Sequence, residues 1–158
     1  MKIMTRIALA IAVSLLAAKA QAQTEAPALS CTSGPYRLKL PKSYKALRGI
    51  GTLRRERVQN NGDMMQRELR FNGLELVVLS PPDKPNEYVV SSAVVSSANW
   101  RIAGPLRVGT SARIALKGLK PREVPSDGEL EFIGEKDSVR VTLSRGRILD
   151  FEYSCSND

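Results

Sequence analysis

Apolar residues along this chain follow two rhythms. Between residues 138 and 144 they alternate strictly, with Val139, Val141 and Leu143 on one side and Arg140, Thr142 and Ser144 on the other. That period of two belongs to a strand with one buried and one wetted face. Residues 52–59 and 64–71 read as a second strand pair, because Asn60-Asn61-Gly62-Asp63 between them is a strong turn signal. Asn72-Gly73 turns the chain again, into a nearly unbroken apolar run over 74–79 suited to a sheet centre. The proline-rich stretch 81–86 is a loop, and 87–95 with a short piece at 100–102 is extended. Strands at 129–133, 138–144 and 147–153 complete the set. In the last of these, Ile148 falls out of step with Leu149, Phe151 and Tyr153, which leaves its facing open.

The second rhythm is helical. Leu40, Tyr44 and Leu47 fall at i, i+4 and i+7, with Pro41 at the start and Gly49 and Gly51 at the end, predicting a short helix over 41–48. Lys42, Lys45 and Arg48 lie on its opposite side. Ala112, Ala115, Leu116 and Leu119 make a second stripe, opened by Thr110 or Ser111 and stopped by Pro121, with Arg113, Lys117 and Lys120 toward water. Both helices are too short to stand alone, so a sheet must hold them. They also belong to a repeat. Gly34-Pro35-Tyr36-Arg37-Leu38, then Ser43 and Ala46-Leu47-Arg48-Gly49-Ile50, returns as Gly104-Pro105-Leu106-Arg107-Val108, then Ser111 and Ala115-Leu116-Lys117-Gly118-Leu119. Two copies of one supersecondary unit sharing a core are predicted, at about 34–103 and 104–155.

The N-terminal segment has a different character. Lys2 and Arg6 precede an apolar run over 7–18, and Ala20-Gln21-Ala22 fits a small-residue cleavage site, so residues 1–22 read as an export signal. The run falls short of the ~20 residues that span a bilayer, so no transmembrane segment is expected in the mature chain. Residues 23–30 read as a flexible lead, and 31–158 as one domain. Export to the periplasm or beyond places the two cysteines in an oxidising compartment, where Cys31 and Cys155 can pair only with each other. A bridge between them requires the first and last segments of the domain to be neighbours.

The 158 residues carry a formal charge of +8, and Lys2, Arg6 and Lys19 of the signal supply three of those positive charges. Charge is uneven along the chain. Residues 37–57 hold eight basic side chains and one acid, Glu56, whereas the last 36 residues are predominantly acidic. A basic patch of Lys42, Lys45, Arg48, Arg54, Arg55 and Arg57 is a candidate contact for an anionic envelope polymer. Nucleic acid is not expected as a partner, since aromatic residues do not interleave with the basic run. Trp100, the single tryptophan, is either a core filler or a further contact.

Catalytic chemistry is poorly supplied. Without histidine, neither a Ser-His-Asp nor a Cys-His site can be built, and the usual zinc sites lose their ligands to the disulfide. Glu129 and Glu131 share a strand face, as solvated carboxylates do, and Asp63 and Asp137 read as turn residues. No catalytic residue, metal or cofactor is assigned.

The passage from Val108-Gly109-Thr110-Ser111 through Ala115-Leu116-Lys117-Gly118-Leu119-Lys120-Pro121 resembles the "VGxS…V…LG.P" helix of the β-lactamase-inhibitor-protein-like superfamily, which includes secreted inhibitors and a small outer-membrane assembly lipoprotein. The glycine falls before Leu119, and Ile114 follows Ser111 by three residues rather than the pattern's four. That resemblance implies repeated helix-plus-antiparallel-sheet units and, more distantly, protein–protein binding. The expectation is an α+β fold: two helix-then-strands units forming one sheet with the helices on one face, closed by a terminal disulfide. The function expected is non-enzymatic binding in the bacterial envelope, to a protein through the exposed sheet face or to a polyanion through the basic first repeat.

Overall fold

A computed structural model describes residues 22–157, so the segment read as an export signal lies, apart from Ala22, outside the described residues. Eight strands form one mixed sheet: β1 (Ala22–Glu25), β2 (Arg55–Asn60), β3 (Met65–Phe71), β4 (Leu74–Ser80), β5 (Val89–Val95), β6 (Gly128–Ile133), β7 (Ser138–Ser144) and β8 (Arg147–Ser154). Their spatial order is β1-β6-β7-β8-β5-β4-β3-β2. Every pairing is antiparallel except β1 with β6. Strands β2 to β5 thus fill one half and β6 to β8 with β1 the other, joined where β5 pairs with β8 from Ser92↔Ser154 to Val95↔Phe151. The apolar run of β4 lies inside the sheet, between β3 and β5.

The alternation seen in the sequence sorts the two faces. Leu69, Phe71, Leu74, Leu76, Val78, Ala93, Val95, Leu130, Phe132, Val139, Val141 and Leu143 all point to one side and are buried. Above them lie α1 (Tyr44–Arg48) and α2 (Ala112–Ala115), the latter continued by a 3-10 turn over Lys117–Leu119. The broken rhythm of β8 has a local cause. A register shift beside Leu143 lets Ile148, Phe151 and Tyr153 all reach the core while Leu149 stays 51 % exposed.

The helices are shorter than the pattern predicts. α1 starts at Tyr44, with Ser43 as its cap, the Ser43 hydroxyl accepting the Ala46 N–H at 3.2 Å. Asn86 completes the cap from the proline-rich loop. Its carbonyl accepts the Tyr44 N–H at 2.9 Å and its side chain the Lys45 N–H at 2.9 Å, so a neighbouring loop satisfies the orphan donors of a one-turn helix. In α2 the whole stripe of Ala112, Ala115, Leu116 and Leu119 is buried. Residues 100–102, expected as a strand, contribute none; the neighbouring Ala103 forms only an isolated bridge to Leu106. Residues 23–30, expected as a flexible lead, open instead in β1, which lies parallel to β6 from Ala22↔Leu130 to Glu25↔Ile133.

The two copies of the repeated passage touch each other. Both corner glycines have positive φ, 74° at Gly34 and 59° at Gly104. Gly104 lies so close to the first copy's corner that a Cβ there would come within 2.0 Å of the Pro35 carbonyl oxygen. Just beyond, Tyr36 is buried with its hydroxyl donating to the Ala115 carbonyl at 2.9 Å, and it accepts on its own carbonyl the Tyr153 hydroxyl at 2.7 Å. Gly118 leaves room for this ring, since a Cβ there would stand 2.7 Å from the Tyr36 oxygen. Gly104→Ala combines an unfavourable left-handed φ with a clash against backbone. It is expected to destabilise the domain by about 2–4 kcal/mol. Gly62→Ala, at a positive φ with open space around it, should cost about 1 kcal/mol. Chemical denaturation of the two variants checks that order.

Cys31 and Cys155 form the disulfide, with Cα atoms 5.9 Å apart across a sequence separation of 124. Asp137, at the β6–β7 turn, is more than a turn residue. One carboxylate oxygen accepts the Cys31 N–H at 2.7 Å and the other the Ser156 N–H at 2.9 Å. The residues on either side of the bridge are thereby tied to the same side chain.

Candidate functional site

One face of the sheet is uncovered, and strand parity fixes what it presents. Following the register across it gives a single row: Arg55, Arg70, Glu75, Val94, Glu152, Arg140, Glu131 and Gln23. Neighbours in that row pair off, Arg70 with Glu75 at 3.5 Å, Arg140 with Glu152 at 3.9 Å, and Gln23 with Glu131 at 3.0 Å. Exposed pairs of this kind contribute about 0–1 kcal/mol each, so they order the surface more than they hold the fold. Within the charged row lies an apolar patch on β4 and β5. Leu79 is directly opposite Val89, which is 47 % exposed, and Val77 and Val94 extend the patch along the two strands.

The six basic residues expected as one patch are divided by the sheet. Arg55 and Arg57 of edge strand β2 stand on the open face, opposite Arg70 and Glu68. Lys42, Lys45 and Arg48 lie on the helical side with α1. Arg48 is already engaged, 3.0 Å from Glu56, which points to that side. Arg54 precedes β2 and anchors it through its N–H on the Arg70 carbonyl at 2.8 Å. Trp100 is half-buried, edge-on to Phe71 at 5.6 Å between ring centroids, with its indole N–H donating to the Asn72 carbonyl at 2.8 Å. It closes one end of the core, and its hydrogen-bonding group is spent there.

Arg67 is the residue that sequence reasoning missed. It is only 8 % exposed and points into the core side of β3. Its guanidinium stacks on the Tyr44 ring at 3.9 Å and donates to the Pro85 carbonyl at 2.7 Å. The Tyr44 hydroxyl donates to Glu56. Burial first, then the hydrogen bond and negative charge of Glu56, hold that phenol well above the ordinary tyrosine range. Arg67, Tyr44, Glu56 and Arg48 therefore form a satisfied polar cluster beneath α1, which fixes the helix and the 81–87 loop. The available signal was parity: position 67 falls on the same face as Leu69 and Phe71.

Concave features are modest. A cleft of about 310 Å³ beside the disulfide is lined by Leu38, Leu40, Tyr88, Val90 and Lys42 among others. A shallow groove of about 460 Å³ runs along the second helix and is lined by Arg113, Lys117, Lys120 and Arg122 with Glu123. Among the described residues the one grouping of possible metal ligands is Cys31, Asp137 and Cys155. Its sulfurs are joined in the disulfide and its carboxylate oxygens are taken by backbone N–H groups. No helix among the described residues is long and apolar enough to cross a membrane. Comparison with family models, curated proteins and solved structures finds no match to this chain.

Proposed function

We propose that this chain is an exported, non-enzymatic binding protein of the bacterial envelope that recognises a partner protein through the open face of its sheet. The observation that carries this reading is the asymmetry of the sheet. One face is packed by both helices and their loops, while the other carries exposed Val89 with half-buried Val77, Leu79 and Val94 inside a charged frame. An apolar centre with a polar rim is the usual anatomy of a protein-recognition surface. The resemblance of residues 108–121 to the β-lactamase-inhibitor-protein-like superfamily favours the same class. A polyanion site built from the first repeat is less well supported, because Arg55 and Arg57 are on the other side of β2 from Lys42 and Lys45.

Capture from envelope extract by the tagged chain tests the reading, at about 50 mM and about 500 mM salt, since screening weakens exposed charge contacts far more than apolar burial. A partner protein should be retained in both conditions. It should be lost from the Leu79→Arg/Val94→Arg variant and kept by Lys42→Gln/Lys45→Gln. Retention unaffected by the open-face variant would sink the proposal, as would retention of no partner at either salt concentration.

A further inference from the structure

The helical side has its own unpartnered surface, on the second repeat. Arg113, Lys117, Lys120 and Arg122 are all exposed, line the same shallow groove, and have no carboxylate of the described residues within ion-pair distance. Glu123 is the one acid lining that groove, which leaves it strongly cationic. Ile114 follows Arg113 directly, three residues before Lys117, and is 78 % exposed, more than any other large apolar residue among those described. Lys120 caps the 3-10 turn in the left-handed region, at φ 51° and ψ 53°, a conformation ordinarily given to glycine. A lysine is thus held at some conformational cost where its ammonium borders the groove.

We propose that this α2 surface docks the protein on a membrane leaflet bearing anionic phosphate headgroups. Charge distribution across the described residues favours that orientation. Glu68, Glu75, Glu129, Glu131, Asp150 and Glu152 all belong to the open face, where Arg55, Arg57, Arg70, Arg140 and Arg147 offset all but one of them. An anionic surface therefore attracts the cationic helical side more strongly than the nearly balanced open face. The shape also favours lipid over an acidic protein. Ile114 projects outward beside the cations, an arrangement that a fluid headgroup layer accommodates without needing a matching socket. Long lysine and arginine stems can lie along the boundary with their charges among the phosphates. Docked this way, the protein presents its open sheet face away from the membrane, free for the partner proposed above.

Vesicle co-sedimentation of the chain, in the form recovered from the cell envelope, tests this. Vesicles of phosphatidylethanolamine with about one-third phosphatidylglycerol are compared with phosphatidylcholine alone. The anionic vesicles should retain the protein and the neutral ones should not. Arg113→Gln/Lys117→Gln should weaken retention roughly thirtyfold, at about fivefold per cation. Ile114→Ser should weaken it several-fold without changing the salt dependence. Lys42→Gln/Lys45→Gln, removing equal charge from the first repeat, should have a much smaller effect. All variants are at exposed positions, and unchanged circular dichroism confirms their fold. Equal losses from the two charge-removing variants would overturn the proposal, because net charge alone would then explain binding. Failure of the wild type to distinguish the two vesicles, or to bind either, would overturn it as well.

Discussion

Replacing Cys31 and Cys155 together by serine should lower the melting temperature by about 10–15 °C. The bridge closes a loop across a separation of 124 residues. Chain-entropy arguments put the stabilisation from so long a loop near 5 kcal/mol, and native bridges commonly return 2–5 kcal/mol. A domain of this size shifts by about 3–4 °C per kcal/mol. Asp137 makes the effect more than entropic. Its carboxylate takes the N–H groups of Cys31, at one end of the closed loop, and of Ser156, the residue just after its other end. In Asp137→Asn one acceptor becomes an NH2 facing a backbone N–H, which should cost about 2–3 kcal/mol. The two changes should not add. Once the bridge is gone the terminal segments are free to separate, and the carboxylate has less to hold. Thermal melts of the double-serine variant, Asp137→Asn and their combination read this directly. A double-serine variant melting with the wild type would refute the closure argument, and strict additivity would refute the coupling.

How much of this was legible beforehand depends on whether a feature is local. The β7 alternation of Val139, Val141 and Leu143 and the α2 stripe of Ala112, Ala115, Leu116 and Leu119 could be read directly, because burial of one face writes a period into the chain. Pairing of the cysteines followed from there being only two. What escaped depends on partners distant in sequence. β1, Ala22–Glu25, has no apolar pattern of its own and exists because β6 offers it an edge. Asn86 as a helix cap and Arg67 under Tyr44 rely on a loop and a helix meeting across the sheet. The facing of β8 rests on a bulge, which moves residues by one place without changing composition.

The same distinction applies to charge. Along the sequence the basic residues come first and the acidic ones last, which suggests two oppositely charged halves. Folding re-sorts them. Strand parity sends Arg55 and Arg57 to the open face while the helix keeps Lys42 and Lys45 on the other, so the expected patch divides. Meanwhile Arg113, Lys117 and Lys120, unremarkable as a solvated helix face, converge with Arg122 on one groove beside Ile114. A linear charge run marks a surface only when its residues share a face.

Alkaline unfolding should be abrupt, with tyrosine ionisation appearing in one step. The chain has four tyrosines, and each has its phenol held above the ordinary range. For Tyr36, Tyr44 and Tyr88 burial is the main cause; for Tyr153 it is burial followed by the neighbouring Tyr36. In the unfolded chain a tyrosine ionises near pH 10. Raised folded values mean that the unfolded state loses protons first. Stability is therefore complete below about pH 10 and is lost as pH climbs through the raised folded values. Each buried phenol contributes a slope of up to about 1.4 kcal/mol per pH unit, so Tyr44 and Tyr153, the two raised furthest, together supply up to about 3 kcal/mol per unit. Against a typical stability of about 5–15 kcal/mol, three units above pH 10 remove much or all of it. Phenolate absorbance should stay nearly flat through pH 10 and then rise together with loss of circular dichroism. Tyr153→Phe should lower stability at neutral pH by about 1 kcal/mol, since the Tyr36 carbonyl loses its donor, yet make the alkaline transition shallower. Gradual titration near pH 10 with the fold intact would show that these phenols are not buried as described, and with them would fall the Tyr36–Ala115–Tyr153 contacts that lock the two repeats together.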